Sequence, residues 1–152
     1  MSYVGKWVFH SIGTVNDSDE AVFLGAEEYL KAPMPYIDES DEEAVADELK
    51  ERRSMVGGQI AVCEDGKLYM LMPLPEGVSK EEVDKAVKAG VIKLYDGMMT
   101  DDPLAWEERD GELWLEVGEG MSEDGWVKLS DDDGNLLFMT TRYTKANERR
   151  KL

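Results

Sequence analysis

From Tyr3 to Gly13 the chain runs YVGKWVFHSIG, and the order of large and small side chains inside it decides the fold. Trp7 and Phe9 fall on one side with Gly5, while Lys6, Val8 and His10 fall on the other. That period of two belongs to a half-buried β-strand, because successive side chains of an extended backbone point to opposite faces. The polar run NDSDE, residues 16–20, ends the strand, and Ala21 to Leu24 is short and apolar enough for a second, brief one.

Further along, AEEYLKA from Ala26 favours one or two helical turns, which Pro33 and Pro35 prevent from continuing. SDEEAVADELKERR from Ser40 has helix grammar: Ser40 or Asp41 as N-cap, acids in the first turns, and Lys50, Arg52 and Arg53 near the C-terminal end of the dipole. The pair VGGQ before the next strand marks a bulge or sharp bend. Gln59–Cys63 and Lys67–Met72 flank the turn EDG and form an antiparallel hairpin. Its second arm carries Leu68, Met70 and Met72 on one face and Tyr69 and Leu71 on the other, so it is central or covered. A helix then spans Ser79 to Ala89, with Ser79 and Glu82 spaced as a capping box and Gly90 as the stop.

The rest is strand and turn: VIKLYDG, LAWEERDG, ELWLEVGEG, GWVKLSDDDG and NLLFMTTRYTK, with hairpin signals at Asp110–Gly111 and Asp133–Gly134. Eight or nine strands with two or three short inserted helices and no repeating βα unit predict a mainly β fold, an antiparallel barrel or half-barrel, with a sandwich as the alternative. Closing the sheet removes the exposed edges so many strands would otherwise present. One domain is expected over residues 1–145, followed by a charged tail, 146–152.

Seventeen Lys and Arg against 34 Asp and Glu give a net charge of −17. Such a charge repels phosphate backbones and anionic lipid, so nucleic acid and membrane are poor partners and a cationic partner is favoured. Cys63 is the single cysteine, which rules out an internal disulfide and suits a reduced compartment. No basic run leads into an apolar stretch at the N-terminus and no 18 consecutive residues are apolar, so the chain is expected to be cytoplasmic.

Gly5, Lys6 and Trp7 on the first strand, together with TTRYTK on the last, resemble the calycin superfamily of lipocalins and intracellular fatty-acid-binding proteins. The resemblance implies a calycin-like β-barrel in which Trp7 packs against Arg142 to close one end. It also implies that Arg142 and Tyr143 are candidates for holding a ligand carboxylate. The family spaces that Arg and Tyr two apart, whereas these two are adjacent and point to opposite faces, so only one of them can line the interior. The helix at Ser79 to Ala89 departs from both families.

Chemistry beyond binding has little support in the residues. His10 lies on the face opposite Trp7 and has no Ser or Cys nucleophile motif to serve, which argues against an enzyme. One His and one Cys cannot build a zinc site of the usual kind. DESDEE from Asp38 and SDDDGN from Ser130 lack calcium-loop register and suit a helix start and a hairpin turn. No glycine-rich phosphate loop is present, and no cofactor is expected. Nine methionines and the aromatic residues are adaptable enough to line a small barrel. The candidate ligand-binding residues are Trp7, Phe9, Met70, Met72, Tyr95, Phe138 and Arg142, for a small apolar or amphipathic ligand. The alternative is a protein-interaction module with a solid barrel core and no small-molecule ligand.

Overall fold

A computed structural model describes residues 3–15, 18–34, 37–118, 120, 124–131 and 134–146. The first strand, β1 (Gly5–Val15), is long because its alternation survives a bulge. Phe9 stands opposite Tyr143 and Ser11 opposite Arg142, leaving His10 as the extra residue. The bulge reverses the phase, so that Ile12, opposite Thr141, takes over the face that Trp7 and Phe9 begin.

β2 (Ala21–Leu24) folds back on the end of β1, and α1 (Ala26–Lys31) follows. α2 (Glu42–Val56) is capped by Asp41, whose carboxylate accepts the N–H groups of Glu43 and Ala44. Gly57 and Gly58 then close that helix on the carbonyls of Arg53 and Met55, so the glycine pair joins helix to strand and is not the bulge its composition suggested. β3 (Gln59–Val62) and β4 (Lys67–Met72) form the predicted hairpin, and α3 (Lys80–Lys88) starts at Ser79, whose hydroxyl accepts Glu82 N–H.

The last third contains β5 (Lys93–Tyr95), β6 (Met98–Thr100), β7 (Leu104–Arg109), β8 (Glu112–Glu116), β9 (Trp126–Lys128), β10 (Leu136–Phe138) and β11 (Thr141–Lys145). Two of these exceed expectation. NLLFMTTRYTK is not one strand but two, divided where Met139 adopts a positive φ of 56°. The β5–β6 hairpin turns on Asp96 and Gly97, whose φ values of 54° and 78° fit a primed turn like the one at Asp110–Gly111. The Asp133–Gly134 signal lies partly outside the described residues, as does nearly all of the tail.

All pairings are antiparallel, and the sheet path is β10–β11–β1–β3–β4–β7–β8–β9, with β2, β5 and β6 attached at its side. The margins of the path meet. Ser130, just past β9, bridges Leu136, and Leu137 N–H donates to Leu129 O at 2.7 Å. The result is a mainly β, antiparallel, curled sheet of eight strands with three helices, consistent with a calycin-like β-barrel.

The concave side is filled. Trp7 is wholly buried, with Ile60, Val62, Leu68, Leu113, Leu115, Leu129, Leu136 and Tyr143 around it. Its indole N–H donates to Tyr3 O at 2.9 Å, and the Tyr3 hydroxyl donates to Gly111 O at 2.6 Å. The segment before β1 is thereby tied to the β7–β8 turn, although β3 and β4 lie between β1 and β7 in the sheet. Such interiors pack to the density of organic crystals, so each of these side chains is held by its neighbours.

Candidate functional site

The residues expected to line one pocket do not converge on one. Trp7, Met70 and Phe138 belong to the packed core. Phe9 stacks on Tyr29 of α1, with ring centres 6.3 Å apart. Met72 sits at the end of β4, 37% exposed, opposite Met99. Tyr95 lies in the β5–β6 hairpin, stacked on Tyr69 at 4.2 Å.

Arg142 requires a correction. It does not meet Trp7: its guanidinium lies 4.2 Å above the Phe23 ring, and its Nε is 3.0 Å from Asp131 Oδ2. The cause is register. Trp7 is paired with Lys145, which shares a face of β11 with Tyr143 and Thr141, so the Lys145 ammonium approaches the indole, 5.9 Å from its centre. The cation beside the tryptophan is thus a lysine three positions later than the resemblance implied. The alternation T-R-Y-T-K carried that information, but only once the pairing was known.

His10 is exposed, and its Nδ1 lies 2.9 Å from Ser11 Oγ. Ser11 is only 3% exposed, so the contact satisfies a buried hydroxyl. Among the described residues no group of three His, Cys, Asp or Glu side chains is placed to hold a metal ion. Among them, too, no helix is long and apolar enough to cross a membrane.

Two hollows lie outside the barrel core. One, about 730 Å³, runs between the barrel wall and the β5–β6 hairpin. Its floor includes Val4, Ala61 and Val62, and Lys6 and Asp96 form an ion pair at its lip. The Tyr95 hydroxyl is 3.3 Å from Cys63 Sγ at its wall, and that hydrogen bond to the thiol is the main cause of a phenol pKa above the usual tyrosine value. Trp106, from β7, fixes the same corner by donating its indole N–H to Cys63 O.

The other hollow, about 430 Å³, lies between the last turns of α2 and the segment Pro73–Glu76. Leu74, Met99 and the two prolines line it, and Arg53 spans it with two hydrogen bonds to Glu76, of 2.8 and 2.9 Å. Those bonds hold the Glu76 carboxyl below, and the Arg53 guanidinium above, their ordinary pKa values.

Two features here escaped the sequence. The turn signal Asp96–Gly97 was present, in the same form as at Asp110–Gly111, and it places Asp96 within reach of Lys6. Arg52 resembled an ordinary basic residue at a helix end. It is instead 3% exposed and donates to the carbonyls of Tyr29, Ala32 and Pro33, binding α1 and its connector to α2. Nothing local marks a residue for that role.

No protein-family model matches the chain, and neither a curated protein nor a solved structure matches it.

Proposed function

We propose that the protein is a non-catalytic binding module of calycin-like type, working in the cytoplasm, that meets a protein partner through the outside of a solid barrel. The observation that carries this reading is the filled interior. Trp7, Ile60, Leu68, Leu113, Leu115, Leu129 and Leu136 occupy the space where a carrier barrel holds its apolar ligand. Admitting a ligand there means displacing close-packed side chains, each of which resists with several kcal/mol, on the order of 2–5 for a large-to-small change.

The exposed surface adds a direction. Of nine exposed large apolar side chains among the described residues, six fall between residues 72 and 94: Met72, Leu74, Val78, Val87, Val91 and Leu94. Leu94 stands opposite Met99, and Met99 opposite Met72, so they form one row across β5, β6 and β4. That row continues to Leu74 beside the hollow at Pro73–Pro75. An apolar strip on a molecule of net charge −17 suits a partner that is basic around an apolar centre.

Native mass spectrometry and sedimentation of the protein from the cells that make it test the reading. A stoichiometric complex with a basic protein is expected, lost on the double substitution Met72→Glu, Leu94→Glu, which leaves the barrel folded. Recovery as a 17.1 kDa monomer carrying a retained apolar small molecule would overturn it.

A further inference from the structure

We infer that the hollow between the barrel wall and the β5–β6 hairpin is a binding site for a small zwitterion with an apolar body, of the α-amino acid kind. Its residues are separate from the apolar strip, so this site stands whether or not a protein docks there.

Size comes first. At about 730 Å³ the hollow falls within the range of small-molecule sites, roughly 300–1,000 Å³. Ligand sites of that size combine an apolar surface with a few convergent polar groups, and this one does so. Val4 and Ala61 supply the apolar surface, Lys6 and Asp96 supply opposite charges, and Cys63 with Tyr95 supplies a thiol and a phenol.

The charges select the ligand class. Lys6 and Asp96 are paired to each other, and their side chains are 40% and 53% exposed. An ion pair this exposed to water contributes little stability, so opening it costs little. An anion entering the site takes Lys6 and leaves Asp96 facing it, and a cation does the reverse. A zwitterion satisfies both, its carboxylate on the Lys6 ammonium and its ammonium on the Asp96 carboxylate. The net charge of −17 works against free anions as well, and leaves a neutral zwitterion unaffected.

Geometry keeps the two charges in place. Lys6 stands on β1 opposite Ala61, which stands opposite Tyr69, and Tyr95 stacks on Tyr69. That stack, the Tyr95–Cys63 hydrogen bond and the pairing of β6 with β4 hold the hairpin over the wall, with Asp96 at its tip. The apolar body of the ligand would lie on Ala61 and Val4, between the hairpin and β1.

A ¹H–¹⁵N titration of the whole chain with L-leucine and L-phenylalanine, set against isocaproate and isoamylamine, tests the site. The last two are leucine without its ammonium and leucine without its carboxylate. Saturable shifts at Gly5, Cys63 and Asp96 are expected with the amino acids. Binding should be about tenfold weaker for each half-ligand, and about tenfold weaker again in Lys6→Met and in Asp96→Asn, the scale of losing one charged hydrogen bond. Three results would each overturn the inference: no saturable shift with either amino acid, half-ligands that bind as well as leucine, or full binding by both variants. If Lys6→Met perturbs β1, Asp96→Asn in the exposed turn and the half-ligands still decide.

Discussion

Gly5 shows how much one backbone angle can fix. Its φ of 135° lies where L side chains rarely go, and a Cβ there would stand 3.1 Å from Lys145 Cε. Gly5→Ala should therefore cost about 1–3 kcal/mol, read as a lowered midpoint in urea with an unchanged slope. Trp7→Ala should cost about 3–5 kcal/mol, since the indole is wholly buried and its N–H is bonded to Tyr3 O. A loss of only a few tenths in either variant would contradict the packing described. Tyr143 adds a pH dependence: burial raises its pKa above the ordinary phenol value near 10. The folded state therefore holds that proton more tightly than the unfolded chain does. Its contribution is complete below the unfolded pKa and is lost as pH rises through the higher folded value, so stability falls at alkaline pH. Tyr143→Phe should flatten that alkaline decline in thermal melts, and an unchanged decline would assign it to other groups.

At the scale of elements, the helices depend on a few bonds. Removing the Asp41 cap by Asp41→Ala should cost about 1 kcal/mol. Arg52→Met should cost more, since it removes the guanidinium donor from the Ala32 and Pro33 carbonyls, at about 1–3 kcal/mol each unless water reaches them, and it should loosen α1 first. Limited proteolysis that cuts between α1 and α2 in the variant but not in the parent would show it, and equal resistance would refute it. These elements also mark where the sequence was legible. Helices with a cap at one end and a glycine or charge change at the other were readable at both ends for α3 and at the start for α2, which runs on past Arg53 to Val56, because their signals are local. The strands on either side of Asp110–Gly111 were readable for the same reason, while the same signal at Asp96–Gly97 went unused. NLLFMTTRYTK reads as one strand in the sequence because its turn rests on Met139 at positive φ, a conformation that its side chain does not announce. The pairing of Trp7 with Lys145, on which the correction of Arg142 depends, joins residues 138 positions apart, and a bulge at His10 sets its phase. No local pattern encodes that.

The whole molecule carries its charge as a cost. Self-repulsion at −17 opposes compactness, so raising ionic strength from roughly 0.01 to 0.15 M, which shortens the screening length from about 30 to 8 Å, should raise Tm. The same salt should slow association with a basic partner, and a Tm indifferent to salt would mean the charges are locally neutralised. The barrel class was legible from alternation and turn spacing. The use of its interior was not, because the same Met and aromatic residues serve a lined cavity or a filled one, and only packing distinguishes them. The way the sheet curls has one more effect, on the order in which the chain comes together. β1 pairs with β11, and Ala146 N–H donates to Lys6 O at 2.9 Å, so the first and last strands are neighbours in space. That contact must close nearly the entire chain as a loop, an entropic toll that slows folding without improving the final barrel. A circular permutant that joins Ala146 to Tyr3 through a short flexible linker and opens the chain in the exposed loop at Gly77 should keep the native spectrum yet refold faster in stopped-flow measurements.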